Sequence, residues 1–498
     1  MAIQTKIQWL YRELGLDSLY NTGRDAWLII TARCCRMIAF GTNSLILALF
    51  FSTLEFSDFY IGLFMTLTLC GDVLLSLVLT VIADRVGRRK VLIGGSVMMI
   101  LSGMVFALFE NYWILLFAAV VGVVSATGGD FGPFRAIEES ILSTLTDQKT
   151  RPDVLSWYVT TATLGQSIGT EACGRIVNHM EKLEGWTLAD AYHAIFWIYS
   201  AMGVVNLILM FSLSVRCEAP KKEEVAAGRG GEEVEGLLAE DDDGSVTELT
   251  DRSTSIDTHR TKSSPIKSKG IISQFLKISP DTRSAVYKLW LLLILDSLAD
   301  GMVPYSLTNY YMDQKFHLPK SRLGDITSIS YFLAFISTLF AAPLSRRLGL
   351  VNTMVFTHIP SSLAVLVFPF PSGIVLTVLC LLIRTGLNNM DQAPRAALIA
   401  AIVRPEERTA IMGITSMLRT LASVAGPTVT GLLAGSNKFW IAFVAAGVLR
   451  LCYDFGLWAM FVNMKLYMHE EKGGEDHGSV VNERRLSDEE EGDVEVRR

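Results

Sequence analysis

Twelve long apolar runs constrain the fold of this chain more than any other feature of its sequence. Half of the 498 residues are hydrophobic, and the mean hydropathy of +0.37 is high for a soluble protein. Each run has about 20 residues, the length of helix that crosses a bilayer core about 30 Å thick. Because lipid offers the backbone no hydrogen bonds and the short alternating runs of a β-barrel are missing, each run is predicted to be a helix. The predicted spans are residues 26–51, 59–82, 91–109, 112–132, 154–176, 191–214, 285–308, 323–345, 351–370, 373–394, 409–434 and 437–463.

The last six runs repeat features of the first six at a nearly constant distance along the chain. Gly349 follows Gly87 by 262 residues, and the Asp-x-x-Pro pattern of 130–133 returns at 391–394, which is 261 residues later. Several matches in the same order indicate a duplicated unit. The sequence therefore predicts an all-α membrane protein with twelve transmembrane helices in two six-helix pseudo-symmetric halves.

Polar segments divide the chain into five parts. Residues 1–25 are too polar for a signal peptide, and the apolar side chains on one of their helical faces predict an interfacial helix. Residues 26–214 and 285–463 are the predicted halves. Residues 215–284 are predicted to be a disordered linker, and residues 464–498 a disordered acidic tail. The net charge of −6 is carried by these last two segments, so it identifies no nucleic-acid partner.

The short loops with Lys and Arg lie on one side of the predicted bundle. Arg88 and Arg89 follow span two, and Arg346 and Arg347 follow span eight. The positive-inside rule makes this side cytoplasmic. Both termini and the linker are then cytoplasmic, and an even number of spans agrees with this. The membrane is predicted to be the plasma membrane or a vacuolar or endosomal membrane.

Sequence motifs argue against an enzyme or an ATP-driven pump. The chain has no GxxxxGK[ST], no HExxH and no GxSxG pattern. Its seven cysteines form no CxxC pair and lie mostly in apolar runs, as small apolar side chains do. Histidines such as His358 are scattered and lack the spacing of metal ligands. No cofactor and no metal site are predicted.

The loop between spans two and three carries the most specific motif. Residues Asp84–Lys90 read DRVGRRK, and Arg346–Gly349 form a degenerate copy between spans eight and nine. The loop, its copy and the six-plus-six layout resemble the major facilitator superfamily over about 26–214 and 285–463. Thr80 stands where that family usually has a glycine. The resemblance implies a secondary transporter that works by alternating access.

The same resemblance implies that this loop belongs to a cytoplasmic gate. Asp84 is expected to meet the N-terminal end of span eleven, near Arg408–Ile411, in one state and to leave it in the other. A helix N-terminus favours a carboxylate because its N–H groups are free. The alternative is that the basic loop only fixes orientation in the membrane. The expected gate residues are Asp84, Arg85, Gly87, Arg88, Arg89, Arg135, Arg346, Arg347, Gly349 and Arg395.

Ionisable residues inside spans are costly and usually face a cavity. Arg36 and Asp296 occupy equivalent positions in the two repeats, and the resemblance implies that spans one and seven line the cavity. We therefore expect these two residues to face each other and to pair, either for transport or only to lock the halves together. Asp296 and Asp300 share a helix face, and two close carboxylates suit proton binding. The expected substrate and proton pathway residues are Arg33, Arg36, Asn43, Asp130, Asp296, Asp300, Arg384, Asn388 and Asp391.

Other charges within or near the spans are expected to have local roles. Glu138 and Glu139 follow Arg135 and are predicted to be surface charges on the gate side. Two pairs four residues apart are expected to neutralise each other within one helix. These pairs are Glu171 with Arg175, and Arg450 with Asp454.

The sequence favours a monomeric secondary active transporter of a small solute, coupled to protons. A facilitative uniporter is one alternative. Another is a transport-inactive sensor of the same fold that signals through its cytoplasmic linker. Deletion of residues 223–262 separates a transporter from a sensor, because a sensor loses its output whereas a transporter keeps its flux. The identity of the solute is not indicated.

Overall fold

The structure is a computed structural model, and every regular element within the residues it describes is a helix. Most of the predicted interfacial segment, of the predicted linker and of the acidic tail lies outside these residues. The described residues are 15–122, 124–125, 133–147, 150–218, 280–403 and 408–461.

In the described residues of the first half, one short α-helix is followed by seven longer ones. Span four consists of two helices, α5 and α6. The helices are α1, Leu16–Asn21; α2, Arg24–Thr53; α3, Asp58–Val86; α4, Arg88–Leu108; α5, Tyr112–Val121; α6, Pro133–Leu145; α7, Arg151–Met180; and α8, Leu188–Phe211.

Within the part of the chain that the structure describes, the second half contains eight α-helices, because spans seven and ten are each divided in two. The helices are α9, Pro280–Met302; α10, Tyr305–Phe316; α11, Lys320–Leu348; α12, Leu350–Val367; α13, Ile374–Asn388; α14, Gln392–Ile402; α15, Arg408–Gly435; and α16, Phe439–Phe461.

The breaks in spans seven and ten occur where proline and polar residues interrupt apolar sequence. In span seven, α9 ends at Met302, and Pro304 precedes the first residue of α10. A proline there costs no hydrogen bond, since the first N–H groups of a helix have no partner within it. In span ten, a 3₁₀ turn at Asn389–Asp391 separates α13 from α14. Backbone groups freed by such breaks need partners inside the protein.

The predicted fold of twelve membrane helices in two halves is confirmed, but three spans extend well beyond their predicted ends. Span four continues to Leu145 rather than 132, span seven to Phe316 rather than 308, and span ten to Ile402 rather than 394. Hydropathy misses the end of span seven because Ser306, Thr308 and Asn309 are polar and buried against other helices. By length and composition, eight of the described helices could each cross a membrane.

Two glycine contacts join the halves in a pseudo-symmetric way. Gly62 of α3 packs on Gly431 of α15, and Gly324 of α11 packs on Gly174 of α7. A Cβ atom on Gly62 would lie 3.0 Å from the Gly431 Cα, and one on Gly324 would lie 2.9 Å from the Gly174 Cα. Gly324 follows Gly62 by 262 residues, and Gly431 follows Gly174 by 257. Small residues let helix backbones approach this closely, so both contacts use the same repeated positions.

Packing inside each half follows the same duplication. In the first half, a Cβ atom on Gly41 of α2 would lie 2.6 Å from the Gln166 carbonyl oxygen of α7. In the second half, Gly301 of α9 meets the Ser423 carbonyl of α15 in the same way. Gly301 follows Gly41 by 260 residues, and Ser423 follows Gln166 by 257. The repeat seen in the sequence is therefore a repeat of helix contacts.

The motif loop and its copy mark one end of the bundle, here called the loop end. Gly87 and Gly349 each end one helix and begin the next, with φ angles of 111° and 84°. Their N–H groups donate to the Ala83 and Ser345 carbonyls at 2.9 and 3.0 Å. Only glycine adopts this backbone readily, which explains why the copy keeps Gly349 while other loop residues differ.

The two halves contact each other at the opposite end, here called the far end. Asn309 of α10 donates through Nδ2 to the Ser44 carbonyl of α2 at 2.9 Å. Tyr310, also in α10, donates through its hydroxyl to Asp58 Oδ1 of α3 at 2.7 Å. The extension of span seven beyond its break therefore holds the second half against the first.

The close approach of helices at the far end predicts that alanine substitutions at two glycines of α15 change the stability of the protein by different amounts. In Gly431→Ala, the new Cβ atom would lie 2.5 Å from the Asp58 carbonyl oxygen, and backbone cannot move aside easily. We expect a loss of about 1–3 kcal/mol, measured by thermal unfolding of the purified protein. Gly413→Ala is the matched control, because nothing lies within 4 Å of its Cβ position. Equal melting temperatures for the two variants would contradict this packing.

Candidate functional site

A cavity of about 420 Å³ lies between the two halves. Met412 of α15 belongs to its wall and lies four residues after the start of that helix at the loop end. Residues of α2 and α7 form part of the wall that the first half supplies. The volume suits a small solute. Its charged and amide side chains are those of Arg33, Arg135, Gln166, Asp300, Arg384, Asn388, Asn389, Asp391, Gln392, Arg395 and Arg419.

A buried ion pair organises the first half. Arg36 of α2 donates through Nη1 and Nη2 to the two carboxylate oxygens of Glu138 in α6, at 2.8 and 2.7 Å. Tyr158 of α7 donates to Glu138 Oε2 at 2.6 Å. The Arg36 guanidinium also lies over the Phe134 ring, 4.5 Å from its centroid. Three helices thus meet at one fully buried carboxylate.

Two predictions about these charges are wrong. Glu138 is not a surface charge, because its side chain is fully buried, whereas Glu139 is partly exposed and pairs with Arg135 at 2.7 Å. Arg36 does not pair with Asp296, whose ionic contacts among the described residues are made within the second half. Adjacent residues of a helix point in different directions, so only one of the two glutamates reaches α2.

The remaining pathway residues of the first half differ in their surroundings. Arg33 lines the cavity, and its guanidinium lies over the Tyr158 ring at 3.9 Å. Asn43 is fully buried, and its side-chain amide has no hydrogen-bond partner among the described residues. Asn43 is absent from the residues that line the cavity. Asp130 lies outside the described residues.

Asp296 is fully buried on α9 beside the cavity wall. Its Oδ2 atom lies 3.5 Å from Arg395 Nη2 and 3.9 Å from Arg419 Nη2. Its Oδ1 atom lies 3.6 Å from His358 Nε2. These distances exceed that of a good hydrogen bond. The carboxylate is therefore compensated by charge, yet neither of its oxygens has a hydrogen-bond partner in the described part of the chain.

Arg395 lies among the pathway residues, although the sequence places it in the gate. It contacts Asp391, four residues earlier, as well as Asp296, and it lines the cavity with Asp391. Asp391 ends the 3₁₀ turn that divides span ten. The break in span ten thus brings a carboxylate and a guanidinium to the cavity wall together.

Arg384 supports the break in span seven. It donates through Nη2 to the Val303 carbonyl and through Nη1 to Thr308 Oγ1, the latter at 3.0 Å. Its guanidinium also lies 5.3 Å from the centroid of the Tyr305 ring. Arg384 therefore donates a hydrogen bond to the backbone beside the break in span seven. It also contacts α10, the helix that joins the two halves at the far end.

A histidine that sequence reasoning set aside lies at the centre of a second buried cluster. His358 Nδ1 lies 2.6 Å from Asp454 Oδ1, and His358 Nε2 lies 2.8 Å from Arg450 Nη2. Ser362 donates to Asp454 Oδ2 at 2.7 Å. The predicted Arg450–Asp454 pair is wrong, since the histidine lies between them. The signal in the sequence that points to His358 is its position inside a predicted span, where an ionisable side chain is costly.

Arg450 connects this cluster to the cavity. Its Nη2 atom also contacts Asn388 Oδ1, and its Nη1 atom lies 3.8 Å from Asp300 Oδ1. Asn388 and Asp300 both line the cavity, whereas Arg450 is fully buried behind them. Two of the predicted pathway residues therefore stand between the cavity and the histidine cluster.

The described gate residues lie at the loop end. Arg88 donates to Thr144 Oγ1 and Arg89 to the Phe211 carbonyl, each at 3.3 Å. These bonds tie the start of α4 to α6 and α8. Arg346 and Arg347 are exposed. The side chains of Asp84, Arg85 and Arg408 are outside the described part, so the predicted contact with span eleven stays a prediction.

Two further expectations concern a local ion pair and metal binding. Arg175 pairs with Glu171 as predicted, and its Nη2 atom also reaches Asp325 of α11 at 3.1 Å, across the two halves. Within the described residues, His, Cys, Asp and Glu side chains form no group of three that could hold a metal ion.

Comparison with known proteins places this arrangement in a family. The sequence model of the Major Facilitator Superfamily matches residues 29–279 and 289–486. The chain belongs to the major facilitator superfamily. It is therefore a multi-pass membrane transporter, as its helices and its family both indicate.

Individual relatives agree with this membership. The chain is 30% identical over 444 residues to the uncharacterized membrane protein YJR124C of Saccharomyces cerevisiae, covering 89% of this chain and 95% of the yeast protein. The nucleoside transporter NupG has a similar fold, with a TM-score of 0.61, 15% identity and coverage of 89% and 100%. A D-xylose-proton symporter gives a TM-score of 0.62 at 13% identity, covering 87% and 98%. These two structures show the shared fold.

The ion pair of the first half predicts opposite results for two adjacent glutamates. Glu138→Gln leaves the buried Arg36 without the carboxylate that accepts two of its hydrogen bonds, and we expect a loss of about 3–5 kcal/mol. Glu139→Gln, the matched control, removes a partly exposed pair and should cost at most about 1 kcal/mol. Thermal unfolding of the two purified variants measures this difference. A control that unfolds as early as Glu138→Gln would contradict the assignment of the buried partner.

Proposed function

We propose that this protein is a secondary active transporter that moves a small polar solute through the cavity by alternating access, coupled to protons. The observation that carries the proposal is the buried cluster of charges around Asp296 beside the cavity. Charges inside a membrane domain are expensive and mark solute or proton pathways. The bidentate Arg36–Glu138 pair fits a structural role, whereas the long contacts of Asp296 leave room for rearrangement.

Alternating access is supported by the unequal packing of the two ends. Asn309 and Tyr310 bind across the halves at the far end, while the cavity reaches Met412 near the loop end. The distribution of Lys and Arg predicts that the loop end is cytoplasmic. In that orientation, this state is closed to the outside. The expected gate around Asp84 and Gly87 would then close in the opposite state.

The solute is proposed to be small and polar because of the groups that face it. Tyr305, Tyr331, Gln166 and Asn388 line the cavity together with arginine side chains. Polar groups in a cavity of this size fix the orientation of a solute by hydrogen bonds and give the site its specificity. The structural neighbours are described as transporters of nucleosides and of xylose with protons. Both kinds of solute belong in the first ligand screen.

The proposal predicts that Asp296→Asn abolishes proton-driven flux and leaves the protein folded. The solute would first be found by a thermal-shift screen of nucleosides, pentoses and other polar metabolites on the purified chain. Flux of the solute found is then measured in proteoliposomes with and without a protonophore. Losing the charge of Asp296 removes the compensation of Arg395 and Arg419, so coupling should fail.

The control for this experiment is Asp17→Asn, the same substitution at an exposed position of α1. It should transport like the wild type. A transporter should also keep its flux after deletion of residues 223–262, whereas a sensor should show no flux and lose its output. Proton-driven flux that is unchanged in Asp296→Asn would contradict the proposed pathway.

A further inference from the structure

His358 is held between a carboxylate and a guanidinium in the interior of the second half. Its ring is 1% exposed. Nδ1 lies 2.6 Å from Asp454 Oδ1, and Nε2 lies 2.8 Å from Arg450 Nη2. Tyr453 packs edge-on against the ring, with 5.4 Å between centroids, and so limits its rotation. Nδ1 therefore faces a hydrogen-bond acceptor, the Asp454 carboxylate, whereas Nε2 faces a hydrogen-bond donor, the Arg450 guanidinium.

This geometry determines where the imidazole carries its proton. A guanidinium can only donate hydrogen bonds, so Nε2 must accept from Arg450. A neutral imidazole that accepts at Nε2 has its proton on Nδ1, and it donates that proton to Asp454. A second proton on Nε2 would point at another donor. The contact with Arg450 is consequently compatible only with the neutral ring.

A different acceptor for a proton on Nε2 is already close. Asp296 Oδ1 lies 3.6 Å from Nε2, and both carboxylate oxygens lack a hydrogen-bond partner among the described residues. A fully buried carboxylate without hydrogen bonds is expensive. A shift of less than 1 Å would give Asp296 a charge-assisted hydrogen bond from a protonated His358.

We propose that His358 is the proton-binding group of the transporter, and that it exchanges Arg450 for Asp296 as its Nε2 partner when it binds a proton. The proton adds to the Nε2 lone pair, the hydrogen bond from Arg450 is lost, and a hydrogen bond to Asp296 forms. The net charge of the cluster rises by one, and no covalent bond breaks. This inference rests on the proposed proton-coupled transport and assigns the coupling site.

Three helices supply the polar and charged groups in direct contact with His358. Asp454, Arg450 and Tyr453 come from α16, Asp296 from α9 and Ser362 from α12 itself. Behind Asp296 stand Arg395 of α14 and Arg419 of α15.

The exchange of partners would reach the cavity along two routes. Arg450 Nη1 already lies 3.8 Å from Asp300 Oδ1 at the cavity wall while Nη2 contacts His358, and loss of the contact with His358 frees Arg450 to approach Asp300. Asp296, drawn to His358, would weaken its contacts with Arg395 and Arg419, which both line the cavity. Proton binding behind the wall thus changes the charges that the solute meets. A coupling free energy between two distinct sites needs such a shared rearrangement.

The hydrogen-bond assignment can be tested directly by ¹⁵N NMR of the purified full-length protein in proteoliposomes, with ¹⁵N-labelled histidine. The chain has seven histidines, and His358→Gln identifies the signal. We expect a neutral ring with its proton on Nδ1 at high pH and a doubly protonated ring at low pH. A neutral ring with its proton on Nε2, or a ring that stays neutral until the protein unfolds, would overturn the proposal.

Transport by His358→Gln separates this inference from the proposed function. Glutamine keeps a hydrogen-bond donor and acceptor but cannot take up a proton, so counterflow of the solute should persist while proton-driven accumulation falls to equilibrium. His179→Gln, at an exposed position of α7, is the control and should accumulate the solute normally. Accumulation by His358→Gln would refute the coupling site and leave the transporter intact. Absence of flux in the wild type would refute the function, and the NMR result would still decide the partner exchange.

Discussion

Charges that lie inside the bundle must find their counter-charges on neighbouring helices, because lipid offers none. This constraint fixes how the helices face each other. Arg36 and Glu138 orient α2 against α6, and His358 and Asp454 orient α12 against α16. Each pair is costly to bury and more costly to break. The rotation of each helix is therefore set by one or two polar contacts within a largely apolar surface.

The two halves use this constraint differently, although they arose from one repeated unit. In the first half, Glu138 is saturated by three short hydrogen bonds. In the second half, Asp296 stands at the position equivalent to Arg36, and its ionic contacts with other described residues are 3.5 Å or longer. A saturated carboxylate holds one geometry, whereas an unsaturated one can gain a bond by moving. We infer that the first half is the frame and that the second half carries the rearrangement.

Much of the fold could be predicted from the sequence, because span length and repeated glycines are local properties. The twelve spans and the repetition of Gly87 at Gly349 follow directly from it. The partners of buried charges could not be predicted in the same way. Periodicity places Glu138 and Glu139 on different helix faces, but it does not say which face meets α2. Metal-ligand spacing does not single out His358, because its partners come from another helix.

In the proposed mechanism, the cavity opens to opposite ends in turn. Protonation of the second half favours one of these two states. Distances between spin labels in the two halves test this most directly. One pair is placed at the far end, at Leu183 and Ser436, and the other at the loop end, at Val215 and Arg347, all of them exposed. The account predicts that lowering the pH lengthens one distance and shortens the other. Two distances that stay constant, or that change in the same direction, would contradict it.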